Sequence, residues 1–301
     1  MTLTVGITTR DRPAALARAL ASLACIAHLD PEILVFDDAS TVPVGASAPE
    51  GSLGARVRVI RSDSAAGYIV GRNRMVREAR GSFVLLMDDD AALIDGQAIE
   101  RAVAALERDP ALGAIAFAQA EVDGRPWDDR MQPGRGGVAA WVPCFVGFAH
   151  LLRRDLFLAL GGYRERFVFY GEEKEFCLRL LDAGYRTLYL PEARVVHNIE
   201  PAGRSGPRYL RYVTRNDCLN AMYNEPLYRL AWLLPARLAL YFRMRRAWSI
   251  DDPRGWAWVL RELARNAAGV LRDRHPVSRA TRREWRRLRD APRPYRHPEA
   301  P

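Results

Sequence analysis

Two groups of acidic residues have types and spacings that could support chemistry. Asp88, Asp89 and Asp90 directly follow an apolar run at residues 83–87, and Glu172 and Glu173 open a helical pattern further along the chain. Adjacent carboxylates repel one another, and a buried carboxylate without a partner is costly. Three acids at the end of a core strand therefore require either a bound cation or contact with solvent.

Each group also has an ordinary structural explanation. Strands of parallel sheets often end in polar residues, so residues 88–90 could form a solvated turn. Negative charge is favoured in the first turn of a helix, so Glu172 and Glu173 could simply stabilise the start of that helix. The choice depends on which other residues converge on the two groups.

The composition is that of a protein with a substantial core. The chain has 301 residues, of which 49% are hydrophobic, enough for one large α/β domain or two ordinary ones. No apolar run approaches the roughly 20 residues that span a membrane, and the N-terminus lacks a secretory signal pattern. The four cysteines are far apart and form no CxxC pair, so neither a disulfide framework nor a zinc site is indicated. We expect a cytoplasmic protein.

Positive charge is concentrated at the C-terminal end. Residues 242–301 contain 16 basic and 7 acidic residues, an excess that equals the +9 of the whole chain. The preceding residues are therefore neutral as a group. This distribution predicts a neutral body that carries out the chemistry and a basic region that meets an anionic surface. Arginine enrichment through genomic base composition is an alternative, because 44 of the 45 basic residues are Arg.

The N-terminal part alternates between strand and helix patterns. Leu3–Thr9 alternates with β-branched residues as a strand does, and Pro13 opens a helical stretch. Alternating strands and helices indicate a parallel sheet flanked by crossover helices. The next elements are predicted at residues 32–38 (strand), 57–61 (strand), 68–81 (helix) and 82–87 (strand).

Polar residues follow several of these strands. Thr9 and Arg10 end the first strand, Asp37 and Asp38 end the second, and residues 88–90 end the fourth. In open parallel sheets, ligands bind at the edge formed by the carboxyl ends of the strands. The sequence has no GxGxxG after the first strand and no P-loop motif. A nucleotide would therefore be held by carboxylates and a metal ion rather than by a glycine-rich loop.

Five stretches follow one another along the chain: VGITTRDRPAALARALASL, ILVFDDAS, GYIVGRNRMVREARGSFVLLMDDDA, GGYRERFVFYGEEKEFCLRLLDAGYR and YLPEARVVH. As an ordered set over residues 2–197, they resemble the family 2 glycosyltransferases of GT-A fold. The resemblance implies an α/β fold with a Rossmann-like, mostly parallel sheet flanked by helices. It also implies a nucleotide-sugar donor, Mn²⁺ or Mg²⁺ as cofactor, and transfer of the sugar to a hydroxyl with inversion.

By position, the acids at residues 88–90 are similar to the family's DxD motif. The resemblance implies that Asp90 and Asp88 bind the metal ion, with Asp88 and Asp89 near the nucleotide. His197, after the last predicted strand, matches a histidine that completes the metal ligands. A divalent ion held there would neutralise the diphosphate as it leaves. A single histidine after a strand is also common at protein surfaces and in cores.

The resemblance implies a pyrimidine-binding region at the first two strand ends. Asp38, beside Asp37, is similar to the acid that accepts a hydrogen bond from the base. Thr9, followed by Arg10, is similar to the residue that flanks the base. A carboxylate is a strong acceptor for the imide N–H of uracil or thymine.

Two residue pairs complete the expected site. Arg72 and Asn73 match the family's RN pair before the metal motif and would contact the nucleotide, although they could also pack locally. Glu172 and Glu173 match the GED motif, whose Asp is the general base. By register Glu173 falls on that Asp, and a carboxylate near a metal-bound donor can take the proton of the acceptor hydroxyl. Because Glu replaces Asp here, Glu172 remains an alternative base.

The motifs end near residue 200, and the composition changes there. We expect a GT-A catalytic domain at residues 1–200, a helical region at 201–280 that packs on it, and a disordered, basic, proline-rich tail at 281–301. The helical region carries aromatic and aliphatic residues at helical spacing with Arg at the margins. Such helices either associate peripherally with an anionic membrane or cover the catalytic domain.

Together these features predict a cytoplasmic, inverting glycosyltransferase, which would lie at the inner face of the plasma membrane if its C-terminal helices bind lipid. It would move a sugar from a UDP- or dTDP-sugar to a glycan or lipid-linked acceptor in cell-envelope polysaccharide synthesis. A nucleotidyltransferase acting on sugar phosphates is one alternative, but its Gly-rich, Lys-bearing first loop is missing. A glycosyltransferase of natural-product tailoring is another. A nucleic-acid-binding protein would leave the acidic groups unexplained, so we expect no nucleic acid partner.

Overall fold

A computed structural model describes residues 3–46, 57–198 and 205–295. In these ranges a mixed β-sheet lies between two layers of helices. The strands are β1 (Leu3–Thr9), β2 (Glu32–Asp37), β3 (Val57–Arg61), β4 (Phe83–Asp88), β5 (Ala91–Leu93), β6 (Leu112–Ala120), β7 (Ala140–Val142), β8 (Ala149–Arg153), β9 (Arg186–His197) and β10 (Arg293–Pro294). The helices are α1 (Pro13–Ser22), α2 (Tyr68–Glu78), α3 (Gly96–Arg108), α4 (Arg154–Ala159), α5 (Glu172–Asp182), α6 (Gly206–Asn224), α7 (Leu227–Ala247), α8 (Gly255–Asp273) and α9 (Arg279–Asp290).

The sheet has the strand order β10-β7-β9-β6-β8-β4-β1-β2-β3, and the short β5 pairs with β9 beside this path. The four strands predicted from the N-terminal sequence, β1 to β4, are parallel neighbours. The sheet then becomes mixed, because β8 runs antiparallel to both β4 and β6. β6 and β9 are again parallel. The carboxyl ends of β1, β2 and β4 therefore meet at one edge.

The sheet is covered on both faces. Leu16 of α1 and Ile99 of α3 belong to the core on one face, whereas Met75 of α2 belongs to the core on the other. Leu219 of α6 and Val259 of α8 belong to this second core as well. In the described part of the chain, the C-terminal helices thus complete the core of the sheet instead of forming one of their own. None of the described helices combines the length and apolar character needed to cross a membrane.

The predicted disorder of residues 281–301 is wrong for residues 281–295. α9 lies at this position, and its Thr281 and Leu288 are buried. Asp182 of α5 accepts hydrogen bonds from the backbone of Ser278 (2.9 Å) and the hydroxyl of Thr281 (2.6 Å). Arginine-rich composition indicated disorder, but one face of the helix packs against α5 while the arginines on the other face stay in solvent. Residues 296–301 and the predicted boundary at residue 200 lie outside the described ranges.

Gly71 lies where α2 crosses β2, and the absence of a side chain there makes room for Phe36. A Cβ at residue 71 would lie 2.3 Å from Cδ1 of the buried Phe36 ring. We expect Gly71→Ala to lower the free energy of unfolding in urea denaturation. Overpacking of a core costs about 1–3 kcal/mol, and a contact this short is expected to cost near the top of that range. Replacing Gly by Ala in a helix gains about 1 kcal/mol, so the net effect is a loss of stability.

The matched control for this substitution is Gly45→Ala. A Cβ at residue 45 would meet no atom within 4 Å. We expect its free energy of unfolding to stay within about 0.5 kcal/mol of the unsubstituted protein. An equally neutral effect of Gly71→Ala on the free energy of unfolding would contradict the close packing of α2 on β2.

Candidate active site

Three potential metal ligands meet at the carboxyl ends of β4 and β9. Asp88 ends β4, Asp90 follows in the turn before β5, and His197 ends β9. Antiparallel pairing of β5 with β9 places Ala91 opposite His197, which brings the imidazole next to Asp90. One ligand atom from each of the three residues lies within 4.8 Å of the others. Carboxylate oxygens suit hard cations such as Mg²⁺ and Mn²⁺, and an imidazole is a ligand that transition-metal ions accept more readily than Mg²⁺ does.

The His197 ring is held in a defined orientation. It stacks between Trp127 (centroid distance 5.7 Å) and Phe148 (4.6 Å). Its Nδ1 lies 3.1 Å from Oε1 of Gln119. Nε2 of Gln119 donates to the carbonyl of Met131 (2.6 Å), so its Oε1 faces the ring and accepts the hydrogen on Nδ1. In the neutral ring the lone pair is then on Nε2, which lies 3.7 Å from Oδ1 of Asp90. Such orientation by an outer hydrogen bond is typical of metal-binding histidines.

Asp89 turns away from this group of ligands. Its carboxylate accepts a hydrogen bond from the hydroxyl of Thr9 (2.7 Å) and another from the guanidinium of Arg12 (3.1 Å). Arg12 also lies 3.4 Å from Asp90. Burial raises the pKa of Asp89, and these hydrogen bonds oppose the shift. The hydroxyl of Thr9 is therefore committed to Asp89, and Arg12, which was not predicted as a site residue, is the arginine of the first loop that reaches the acids.

Arg72 connects the two acidic groups. Its side chain is 1% exposed, and it donates to Asp88 (2.6 Å), to the carbonyl of Gly147 (2.7 Å) and to Glu172 (3.2 Å). Burial alone would lower the pKa of Arg72, but Asp88 and Glu172 raise it above its ordinary value. With both terminal nitrogens bound to the protein, Arg72 positions the acids, and its predicted contact with the nucleotide stays a prediction.

Asn73 likewise has a structural role. Its side-chain amide donates to the carbonyl of Tyr163 (2.8 Å) and to Glu165 (3.0 Å), and its carbonyl oxygen accepts from the backbone N–H of Tyr163 (2.8 Å). Both N–H groups and the oxygen are thus used within the protein. Asn73 therefore ties α2 to the loop that follows α4, and its predicted contact with the nucleotide stays a prediction.

Glu172 and Glu173 lie in different surroundings although they are adjacent. Glu172 is 1% exposed, and its two oxygens accept from Arg72 and from the hydroxyl of Tyr68 (3.0 Å). Burial raises the pKa of Glu172 well above its ordinary value, with Glu173 adding to the shift and Arg72 opposing it. Oε2 of Glu173 is buried and has no hydrogen-bond partner among the residues that the structure describes. The two adjacent carboxylates thus differ: both oxygens of Glu172 have hydrogen-bond partners, whereas one oxygen of Glu173 has none in the described part of the chain.

The loop before Glu172 has an unusual backbone that α6 holds in place. Val168 and Tyr170 have positive φ angles of 62° and 66°, and Gly171 follows at 83°. Non-glycine residues in this region cost about 1–3 kcal/mol each. The side-chain amide of Asn216 in α6 offsets this cost because it lies 2.7–2.8 Å from three carbonyl oxygens of the loop, those of residues 167, 169 and 170. No local sequence signal indicated this contact.

Asp37 is occupied by the turn after β2. Its carboxylate is fully buried and accepts hydrogen bonds from the backbone of Ser40 (2.9 Å) and Val44 (3.3 Å) and from Arg61. Burial would raise the pKa of Asp37, but these hydrogen bonds lower it. Asp37 therefore has a structural role in this turn, and its predicted contact with the nucleotide stays a prediction.

Asp38 and Arg10 remain at the edge where a ligand could bind. Oδ1 of Asp38 accepts from the backbone of Ala66 (2.6 Å) and Gly67 (3.1 Å), which anchors the loop before α2. A carboxylate has about four acceptor sites, so further capacity is left. The Arg10 side chain is 54% exposed and lies 3.8 Å from Asp11.

Comparison with known proteins agrees with this geometry. The model of the glycosyl transferase family 2 matches residues 4–161, which is half of the chain. The chain belongs to this family. A curated relative, N-acetylglucosaminyl-diphospho-decaprenol L-rhamnosyltransferase of Mycobacterium tuberculosis, is 30% identical over 127 residues, which are 38% of this chain and 39% of that protein. The matched part spans only 15–39% of the length of the curated relatives.

Solved structures confirm the GT-A fold. S. aureus TarS 1–349 in complex with UDP-GlcNAc has a TM-score of 0.64 at 16% identity, covering 96% of this chain and 93% of that chain. A mannosyltransferase from Pyrobaculum calidifontis, in complex with GDP-Man and Mn²⁺, has a TM-score of 0.59 at 18% identity, covering 95% and 83%. The predicted family and fold class are both confirmed.

The ligand geometry predicts how metal affinity responds to substitution. We expect His197→Ala to weaken Mn²⁺ binding by at least about 10-fold, since it removes a ligand. Gln119→Ala should weaken it by about 10- to 100-fold, the usual effect of losing an outer hydrogen bond to a metal-binding histidine. Titration followed by electron paramagnetic resonance of free Mn²⁺ measures both affinities.

The control for these two variants is His28→Ala. His28 is 52% exposed and pairs only loosely with Glu100 at 3.4 Å, so its loss should leave the Mn²⁺ affinity unchanged. Wild-type affinity in a folded His197→Ala variant would exclude this residue as a ligand. Wild-type affinity in Gln119→Ala would show that the hydrogen bond to Nδ1 does not orient the ring.

Proposed function

We propose that this chain transfers a sugar from a nucleoside-diphosphate sugar to a hydroxyl of a glycan or lipid-linked acceptor in cell-envelope polysaccharide synthesis. The observation that carries the proposal is the link made by Arg72 between a metal-ligand group and a carboxylate pair at one edge of the sheet. Family membership supports glycosyl transfer over the nucleotidyltransferase alternative. The decaprenol-linked sugar in the name of the mycobacterial relative supports a lipid-linked acceptor.

Asp88, Asp90 and His197 are the residues that would hold Mn²⁺ or Mg²⁺. When bound, such an ion neutralises charge on the departing nucleoside diphosphate. The chain's own contribution is to keep the three ligands in place: Arg72 holds Asp88, Gln119 holds His197, and Arg12 lies against Asp90. Each is a contact that restricts the rotamers of the ligand before any donor arrives.

Glu173 is the general base in this proposal. The acceptor oxygen forms a bond to the anomeric carbon as the bond from that carbon to the diphosphate breaks, and the hydroxyl proton passes to Glu173. A single displacement of this kind inverts the anomeric configuration. Glu172 is the positioning residue, because Tyr68 and Arg72 hold its two oxygens in place, whereas Oε2 of Glu173 has no hydrogen-bond partner among the described residues.

A pyrimidine nucleotide, UDP or dTDP, is the proposed carrier of the sugar. The support is the position of Asp38 at the end of β2, where its remaining acceptor capacity could take the imide N–H of uracil or thymine. The TarS structure contains UDP-GlcNAc, whereas that of the Pyrobaculum mannosyltransferase contains GDP-Man. The identity of the nucleobase in the donor is therefore the first property to test.

A thermal-shift panel tests the donor. UDP, dTDP, GDP and CDP are each added with and without Mn²⁺, and we expect stabilisation by UDP or dTDP only when the metal is present. A ligand that binds only the folded state at 100 times its Kd stabilises it by about 2.7 kcal/mol. Stabilisation by GDP alone would exclude the pyrimidine assignment, and no metal-dependent shift with any nucleotide would contradict the proposed donor site.

The substitutions Glu173→Gln and Glu172→Gln distinguish the roles of the two carboxylates. We expect Glu173→Gln to lower kcat by about 10²- to 10⁴-fold, the usual contribution of a general base, with donor affinity and thermal stability retained. Glu172→Gln should lower the melting temperature as well as kcat, because it leaves the buried Arg72 without one of its charged partners. Glu107→Gln, on the exposed surface of α3, is the matched control and should change neither quantity.

The opposite pattern of results would reverse the roles assigned to Glu172 and Glu173. A Glu172→Gln variant that keeps its stability and donor binding but loses turnover would make Glu172 the base. Near-normal turnover in Glu173→Gln would exclude Glu173 from that role.

A further inference from the structure

α7 presents an apolar surface to solvent. Tyr241 is the one buried residue among the 21 residues of this fully described helix. Every exposed position between residues 227 and 242 is apolar. The large side chains of this surface, which we call the α7 outer face, are Leu227, Tyr228, Trp232, Leu240 and Phe242, and they are 42–59% exposed.

The opposite side of α7 is held by the protein, which fixes the direction of the outer face. Leu230, Leu234 and Leu238 pack against the second core. Arg237 lies 2.8 Å from Asp217 of α6, and Arg229 lies 3.1 Å from Glu225. The arginines on this side are therefore neutralised within the chain, while the apolar residues on the other side have solvent as their neighbour.

Positive charge follows the apolar surface directly. Arg243 and Arg246 are exposed in the last turns of α7, and the helix contains five arginines and no acidic residue. Tyr and Trp side chains with apolar neighbours favour the boundary between lipid headgroups and acyl chains, and arginine pairs with lipid phosphates. We propose that the α7 outer face docks on the surface of an anionic lipid bilayer, with the helix lying along the membrane.

Ring contacts connect the end of α7 to the candidate active site. Trp248, the residue after α7, is 49% exposed and packs against Tyr209 with a centroid distance of 5.8 Å. Tyr209 packs against Tyr170 at 4.9 Å. Tyr170 belongs to the strained loop that leads into Glu172. The C-terminal end of α7 is therefore linked through ring contacts to the loop that carries the carboxylate pair.

Flotation with lipid vesicles tests the proposal without any substrate. The full chain is mixed with vesicles of phosphatidylcholine alone or with 30 mol% phosphatidylglycerol. We expect it to float with the anionic vesicles, and to do so less as NaCl is raised, because the arginine contribution is screened. Trp232→Glu should weaken binding by about 10-fold or more, and Arg243→Ala with Arg246→Ala by roughly five-fold per arginine.

Val122→Glu is the matched control. Val122 is 75% exposed in the turn after β6, so the same type of substitution is made away from α7. It should bind vesicles like the unsubstituted protein. Circular dichroism and the nucleotide thermal shift, measured for every variant, keep loss of folding or of the donor site separate from loss of membrane binding.

Three results would overturn the proposal. The first is no flotation of the unsubstituted protein with anionic vesicles, and the second is flotation of Trp232→Glu equal to that of Val122→Glu. The third is a dimer that Trp232→Glu converts to a monomer in light scattering, with no vesicle binding by either form. This last result would assign the α7 outer face to a second copy of the chain.

Discussion

The buried guanidinium of Arg72 is the interaction on which the candidate active site depends. It joins Asp88, at the end of a central strand, to Glu172, at the start of a helix that begins 100 positions after Arg72 itself. Removing a guanidinium from water is costly, and the cost is offset only while its acidic partners stay in place. The planar fork of arginine also fixes the angle between its partners. The metal-ligand group and the carboxylate pair therefore behave as one unit, although they come from different parts of the chain.

The C-terminal helices belong to the same unit. α6 supplies Asn216, which holds the strained loop before Glu172, and α6 and α8 complete the second core of the sheet. α7 has its inner side on that core and its apolar outer face in solvent. The region that lacks family motifs thus both positions the proposed base and carries the surface proposed to meet the membrane. A change in these helices is expected to alter the site through Asn216.

Much of the fold and part of the site could be predicted from the sequence, because the patterns that indicate them are formed by residues close together along the chain. Strand and helix patterns located β1 to β4, and the carboxyl ends of parallel strands must share an edge, so polar residues at those ends were expected to converge. Asp88, Asp90 and His197 do lie together. Hydrogen-bond partners from distant segments could not be predicted. Arg61 of β3 binds the carboxylate of Asp37, and the loop after α4 binds the side chain of Asn73.

The sequence by itself determined the family, the α/β architecture and the residue types of the site, because these follow from hydrophobic periodicity and from short motifs read along the chain. The tertiary structure alone decided which carboxylate has an oxygen without a hydrogen-bond partner among the described residues, which arginine holds the acids, and that the arginine-rich segment at α9 is a packed helix. Such properties depend on burial and on contacts between residues far apart in sequence. Glu172 and Glu173 are the same amino acid at adjacent positions, and only their neighbours in space make them different.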